Sequence, residues 1–206
     1  MTGVAQMFMQ VIRGRVADEA GLRKSFDRWM SELRPGAEGY LGTTAGFTDG
    51  GEMIALARFE SAAAAKHNSD RPEQSKWAAE VGSELDGEPT FIDIDDAHEW
   101  LGGGSDDAGF VQVMIGQSPD VEALLARSDG EEEQLRAARP EIIGGTFGRF
   151  GDNGYVQAVY FRSEDAAREK ESSEPPPEVK AMVEDFQRLL GDVTYVDLHE
   201  PLLYSR

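Results

Sequence analysis

The chain has 206 residues, 40% of them hydrophobic, and carries 39 acidic against 20 basic residues for a formal net charge of −19. It has no cysteine, which excludes disulfides, thiolate metal sites, iron–sulfur ligation and a cysteine nucleophile. A surface this acidic repels phosphate backbones and anionic headgroups, so neither nucleic acid nor membrane is an expected partner.

Solubility is the plainest reading of the charge, and runs such as Glu131-Glu132-Glu133 are read as solvated faces. The opening residues show no basic stretch followed by an apolar run, and no apolar run approaches the ~18 residues of a membrane span. The expectation is a soluble, cytoplasmic protein. The length suits one large domain or two of about 100 residues.

Residues 7–16 alternate between two sets, Phe8, Gln10, Ile12 and Met9, Val11, Arg13, which predicts a strand. Asp18 is a plausible N-cap for a helix with Leu22, Phe26, Trp29 and Leu33 on one face, stopped by Pro35-Gly36. A second strand spans 40–47, "TDGG" makes a hairpin turn at 48–51, and a third strand spans 53–59. Ser61 caps a helix through the alanines. That helix breaks near Pro72 and resumes through Trp77 towards Val81, and a fourth strand covers 88–95.

The order βαββαβ then recurs: strand 110–117, a helix from Asp120, strand 142–150, a "GDNG" turn, strand 155–162, a helix broken at Pro175-Pro176-Pro177, and strand 193–199. The chain is written twice. At an offset of about 102 residues, "FMQVIRGRV" faces "FVQVMIGQS" and Gly42, Thr44, Gly46 face Gly144, Thr146, Gly148. Roughly sixteen identities fall in about sixty ungapped positions, where chance gives about four. The copies are residues 1–101 and 108–206, with "GGGSDD" at 102–107 as a flexible Gly/Ser/Asp linker.

A βαββαβ unit is the ferredoxin-like split βαβ motif, with helices on one face of the sheet. Val11, Val111 and Val113 make the other face partly apolar, so it needs covering. The expected fold is α+β: tandem ferredoxin-like repeats that pair within one chain as an intrachain dimeric α+β barrel, with further self-association left open.

Each copy resembles the dimeric α+β barrel superfamily, in particular its antibiotic-biosynthesis-monooxygenase-like branch. The resemblance rests on the first strand, on "Phe59-Glu60-Ser61 … His67-Asn68-Ser69" leading into the second helix, and on the closing strand. It implies a cofactor-independent monooxygenase of a small aromatic or quinone-like substrate, or a non-catalytic small-ligand-binding or assembly protein of the same fold. Haem-degrading relatives line their pocket with a first-strand Asn. Ile12 and Met114 stand there in this chain, so haem is disfavoured and no cofactor is expected.

His67 is the candidate base, because an imidazole gives and takes protons near neutrality. The bland reading is a histidine at a helix end. Trp77 is a candidate stacking wall or ordinary packing, and Trp29 is read as core. Arg13 and Arg58 are candidate anion anchors or edge residues reaching solvent, with Ile115 and Arg162 as their expected counterparts. Gln10 and Gln112 recur, either as a structural network or as ligand contacts. Asn68 completes the candidate substrate-binding set. His98 and His199 near Asp93, Asp95 and Asp197 lack a metal-ligand spacing, so no metal site is expected. The copies differ most in the second helix, where Glu169, Lys170 and Val179 replace His67, Asn68 and Trp77. A site is therefore expected in the first copy, with the second acting as scaffold.

Overall fold

The computed structural model describes residues 6–130, 132–172 and 177–205. The first copy forms β1 (Met7–Arg15), α1 (Glu19–Arg28), β2 (Tyr40–Phe47), β3 (Glu52–Phe59), α2 (Ala62–Ser69), α3 (Pro72–Ser83) and β4 (Thr90–Trp100). The second forms β5 (Phe110–Gln117), α4 (Val121–Gly130), α5 (Glu132–Ala138), β6 (Ile142–Phe150), β7 (Gly154–Phe161), α6 (Glu164–Ser172), α7 (Pro177–Leu190), β8 (Asp192–Leu198) and the short β9 (Leu202–Ser205). These are two βαββαβ repeats of ferredoxin-like type, each with its second helix split. Pro175 and Pro176 lie outside the described residues; Pro177 opens α7, where a missing N–H costs nothing. No described helix is long and apolar enough to cross a membrane.

The compact units do not coincide with the sequence copies. One comprises Gln6–Asp96 with Pro201–Arg206, and the other contains Ala97–Glu200. The end of β4 thus belongs to the second unit, and β9, which follows β8, belongs to the first. In the first unit the strand order is β4-β1-β3-β2-β9, where Gly42–Ala45 pair with Leu202–Ser205. In the second it is β8-β5-β7-β6 followed by the end of β4, where His98–Trp100 pair with Gly145–Phe147. Both added segments satisfy backbone groups that an edge strand would leave open.

The two registers match. In the first unit Phe8, Gln10 and Ile12 face Phe59, Ala57 and Ala55, which face Tyr40, Thr43 and Ala45. In the second, Phe110, Gln112 and Met114 face Phe161, Val159 and Gln157, which face Ile142, Gly145 and Phe147. Each outer strand carries the same bulge, at Tyr40/Gly42 and at Ile142/Gly144. Gly42 has φ +146, and a side chain there would meet the Arg58 guanidinium and the Tyr204 carbonyl. The register also corrects one pairing: Arg58 corresponds to Tyr160, not Arg162, since they lie opposite Met9 and Val111, the residues that follow the equivalent Phe8 and Phe110.

In α1, Asp18 caps through its carboxylate, which accepts the Gly21 N–H at 3.0 Å, and Leu22, Phe26, Trp29 and Leu33 are buried, as the apolar spacing predicts. The helix ends in a π-helical turn, Trp29–Leu33, that widens it just before Pro35. In the second unit Phe110, Leu124, Phe147 and Tyr155 are fully buried, each large side chain contributing about 1.5–3 kcal/mol. The Trp100 indole lies directly over Gly145, where even a methyl group would overlap it.

Gly145→Val therefore drives a side chain into Trp100 and is expected to cost at least about 2 kcal/mol, read as a lower urea midpoint. Gly82→Ala in α3, where an added methyl meets nothing, leaves stability unchanged or slightly raised. A pH dependence follows from Tyr155, whose hydroxyl donates to the Leu190 carbonyl at 2.9 Å and whose ionisation burial pushes well above its ordinary value. The folded state then holds that proton more tightly than the unfolded one. Its contribution is complete below about pH 10, the ordinary tyrosine value, and is lost as pH rises further. Absorbance titration should show Tyr155 ionising only with unfolding, and Tyr155→Phe should flatten that alkaline loss.

Candidate functional site

The first unit holds a partly open cavity of about 510 Å³ between its sheet and its helices. The floor is a set of cross-strand rows. One row runs from Gln10 through Ala57 and Thr43 to Tyr204; the next joins Ile12 and Ala55; a third joins Phe8, Phe59 and Tyr40. Asp93 and Asp95 of β4 complete one side. The roof is Phe26, Trp29 and Met30 from α1 and its π-helical turn, with Ala65, Asn68, Gln74 and Trp77 from α2 and α3. Short π-helical turns recur beside functional sites, and this one carries Trp29 and Met30.

The aromatic wall is fixed by its polar edges. The Trp29 indole N–H donates to Gln74 Oε1 at 2.7 Å, and that of Trp77 donates to the Ser25 carbonyl at 2.8 Å. Trp29 lies 4.8 Å from Tyr40 and 6.4 Å from Trp77 between ring centroids, and Phe26 meets Trp77 edge-on at 6.3 Å. Asn68 is buried, and its amide oxygen accepts from Arg71 at 2.8 Å, so its NH₂ group is the end left over. Tyr204 closes one end of the floor row. Burial, with the Asp27 carboxylate beside it, pushes its phenol up to about 12.

Of the sequence-predicted site residues, Gln10, Asn68 and Trp77 line the cavity and His67, Arg13 and Arg58 do not. His67 is exposed on the outer side of α2, between the lining residues Lys66 and Asn68. It stands in the last turn of α2, where a basic side chain suits the helix dipole. The base assignment to His67 thus has no geometric support. The strand pleat decides the arginines: Gln10 and Ile12 face the cavity, so Arg13 faces the other way, and Ala57 and Phe59 place Arg58 likewise. Arg13 pairs with Glu52 at 3.0 Å and Arg58 is buried beside Gly42. Neither anchors an anion in the cavity.

Gln10 donates to Asp93 Oδ1 at 2.7 Å, and Gln112 donates to Asp197 Oδ1 at 2.9 Å. The recurring glutamine is therefore a brace between the first and closing strands of each repeat. His98 lies within β4, buried 5.6 Å from the Phe147 ring, and His199 contacts Glu164 at 2.6 Å. Among the described residues no group of three His, Asp or Glu side chains is placed to hold a metal ion.

The matching space in the second unit is occupied side chain by side chain. Of the lining residues, Ala55 becomes Gln157, Ala57 becomes Val159 and Ile12 becomes Met114. Thr43 becomes Gly145, over which Trp100 lies in the place that Tyr204 holds in the first unit. Lys66 becomes Arg168, which pairs with Asp197 and stacks its guanidinium 5.1 Å from the Phe110 ring. In the first unit Lys66 pairs with Asp70 at 2.7 Å instead, leaving Asp93 to Gln10. Tyr40, Thr43, Met30 and Tyr204 were missed from the sequence. Only the pairing of Tyr40 with Ile142 and Thr43 with Gly145 hinted at them.

No family model matches the chain, and no curated protein matches it. Solved structures do match. The "putative monooxygenase" of Lactobacillus acidophilus is 15% identical with a TM-score of 0.72, over 96% of this chain and 99% of that one. That of Fusobacterium nucleatum is 12% identical with a TM-score of 0.75, over 100% and 96%. An anthrone oxidase-like protein is 12% identical with a TM-score of 0.66, over 98% and 93%. At such identities these likenesses establish the fold: the chain shares the architecture of these monooxygenase-like proteins along nearly its whole length.

Proposed function

We propose that the first unit binds a small, flat, largely apolar aromatic molecule of phenol or quinone type, and that the chain is a cofactor-independent monooxygenase acting on it within the antibiotic-biosynthesis-monooxygenase-like superfamily. The carrying observation is the aromatic-walled cavity of about 510 Å³, a size and lining suited to a small organic ligand. The fold shared with an anthrone oxidase-like protein supports the substrate class. The charged lining residues are Lys66, Asp70, Asp93 and Asp95, with Lys66 engaged by Asp70. That balance favours a neutral ligand over an anion.

The reaction of such a molecule needs little from the protein. A ring CH₂ conjugated with a carbonyl, as the one across the central ring of an anthrone, loses a proton to form an enolate-type anion, which transfers an electron to O₂. The carbon then forms a C–O bond to give a hydroperoxide, and loss of water leaves a ketone, so that CH₂ and O₂ become C=O and H₂O. The aromatic walls hold the ring flat and keep water from the enolate. Asp93 and Asp95 are the lining carboxylates free of the lysine and are assigned as proton acceptors. The lining offers no imidazole or thiolate to a haem iron, and no step runs through haem. The second reading, ligand binding without turnover, is favoured by the lack of histidine and arginine in the lining.

With a hydroxyanthrone as substrate and oxygen uptake as the readout, His67→Ala is expected to retain wild-type turnover. Ala57→Phe, which fills the centre of the floor row, is expected to abolish both uptake and the quenching of Trp29 and Trp77 fluorescence. Loss of activity in His67→Ala, or full activity in Ala57→Phe, overturns the assignment. Quenching without oxygen uptake in the wild type selects the non-catalytic reading.

A further inference from the structure

The Tyr40 hydroxyl donates to Thr43 Oγ1 at 2.8 Å and lies 4.0 Å from the Met30 sulfur, so Thr43 is the stronger partner. Both residues are buried, and both line the cavity. Two hydroxyls carry two hydrogens, and their mutual bond uses one of them. With Thr43 accepting, its own hydrogen remains to be donated, and among the described residues no acceptor takes it. A buried hydroxyl hydrogen without a partner is costly, and the open side of Thr43 is the cavity.

Thr43 and Gln10 occupy the same cross-strand row, separated only by Ala57. Two strand spacings place them about 10 Å apart, a span suited to a fused-ring system. At the Gln10 end Asp93 accepts hydrogen bonds and is exposed; at the Thr43 end a donor is buried. The row is thus polar at both ends, with opposite sense, and apolar at its centre. In the second unit, where the space is filled, the corresponding residues are Ile142 and Gly145 and no hydroxyl is present. The pair accompanies the cavity rather than the fold.

We propose that Thr43, held by Tyr40, is the specificity-determining donor that takes a carbonyl oxygen of the ligand, while Asp93 takes a hydroxyl at the ligand's other end. The ligand class is then a flat hydroxy-ketone, bound lengthwise along the Gln10–Ala57–Thr43 row. This rests on the cavity being a ligand site, as proposed above.

The test uses the full chain and calorimetric titration with three probes: 6-hydroxy-1-tetralone, 1-tetralone and 5,6,7,8-tetrahydro-2-naphthol. The hydroxy-ketone is expected to bind roughly five- to tenfold more tightly than the naphthol, which lacks the carbonyl. Thr43→Val, close in shape, removes that advantage and leaves the naphthol's affinity unchanged. Tyr40→Phe, which frees Thr43 without deleting it, lowers the advantage by less and provides the comparison if Thr43→Val does not fold. Asp93→Asn weakens the hydroxy-ketone and the naphthol but spares 1-tetralone. Equal weakening of all probes by Thr43→Val, or no effect of it, overturns the donor assignment while leaving the cavity reading intact. Failure of every probe to bind the wild type overturns both.

Discussion

Everything in this molecule depends on strand register. A pleated strand sends alternate side chains to opposite faces, so a register once set decides which residues meet under the helices. Both repeats keep the same register, down to a bulge at the same place in the outer strand. What differs is the size of the side chain at each crossing. Alanine at 55 and 57 leaves space above the sheet, whereas Gln157 and Val159 stand at the matching positions. Cavity and core are two fillings of one frame.

Space alone does not make a site, because an apolar cavity lined by mobile side chains tends to collapse. Here the walls are restrained. Trp29 and Trp77 each donate a hydrogen bond, to Gln74 and to the Ser25 carbonyl, and Arg71 holds Asn68 while also donating to the Leu33 carbonyl at 3.1 Å. These bonds keep the rings from folding into the gap, which preorganises the pocket. The cationic side chain of the second helix also differs in its choice of partner. Arg168 reaches over Phe110 to Asp197, whereas the shorter-reaching ammonium of Lys66 turns to Asp70 one helical turn on. That difference leaves Asp93 and Asp95 facing the cavity.

The duplication and the element order were legible in the sequence, because each rests on local pattern. The repeat identities carry the frame, and the replacement of Asn68 and Trp77 in the second copy marks where the copies part. The alternation that predicts β1 also contained the answer for Arg13, since Arg13 belongs with Met9 and Val11 rather than with Gln10 and Ile12. Reading the arginine for its charge overrode the pleat. His67 lies outside the lining for a related reason: its two sequence neighbours line the cavity, and helical phase turns the residue between them outward. Tyr204 was beyond reach in another way. Its role depends on β9 pairing with β2, a contact between residues about 160 apart that no local pattern encodes.

Fusion of the two repeats explains how one could lose its cavity. In a dimer of identical chains each substitution appears twice, so a residue that fills one pocket fills both, and a residue that opens one opens both. A duplicated chain has no such constraint. The second repeat carries Phe147, Tyr155 and Arg168, which favour stability at the cost of the cavity, while the first keeps alanines and a pair of buried hydroxyls that serve packing poorly. Sites commonly trade stability for function within one domain. In this chain the two demands are met by different copies of the same fold, and the residues that differ between equivalent row positions are therefore the ones to read as functional.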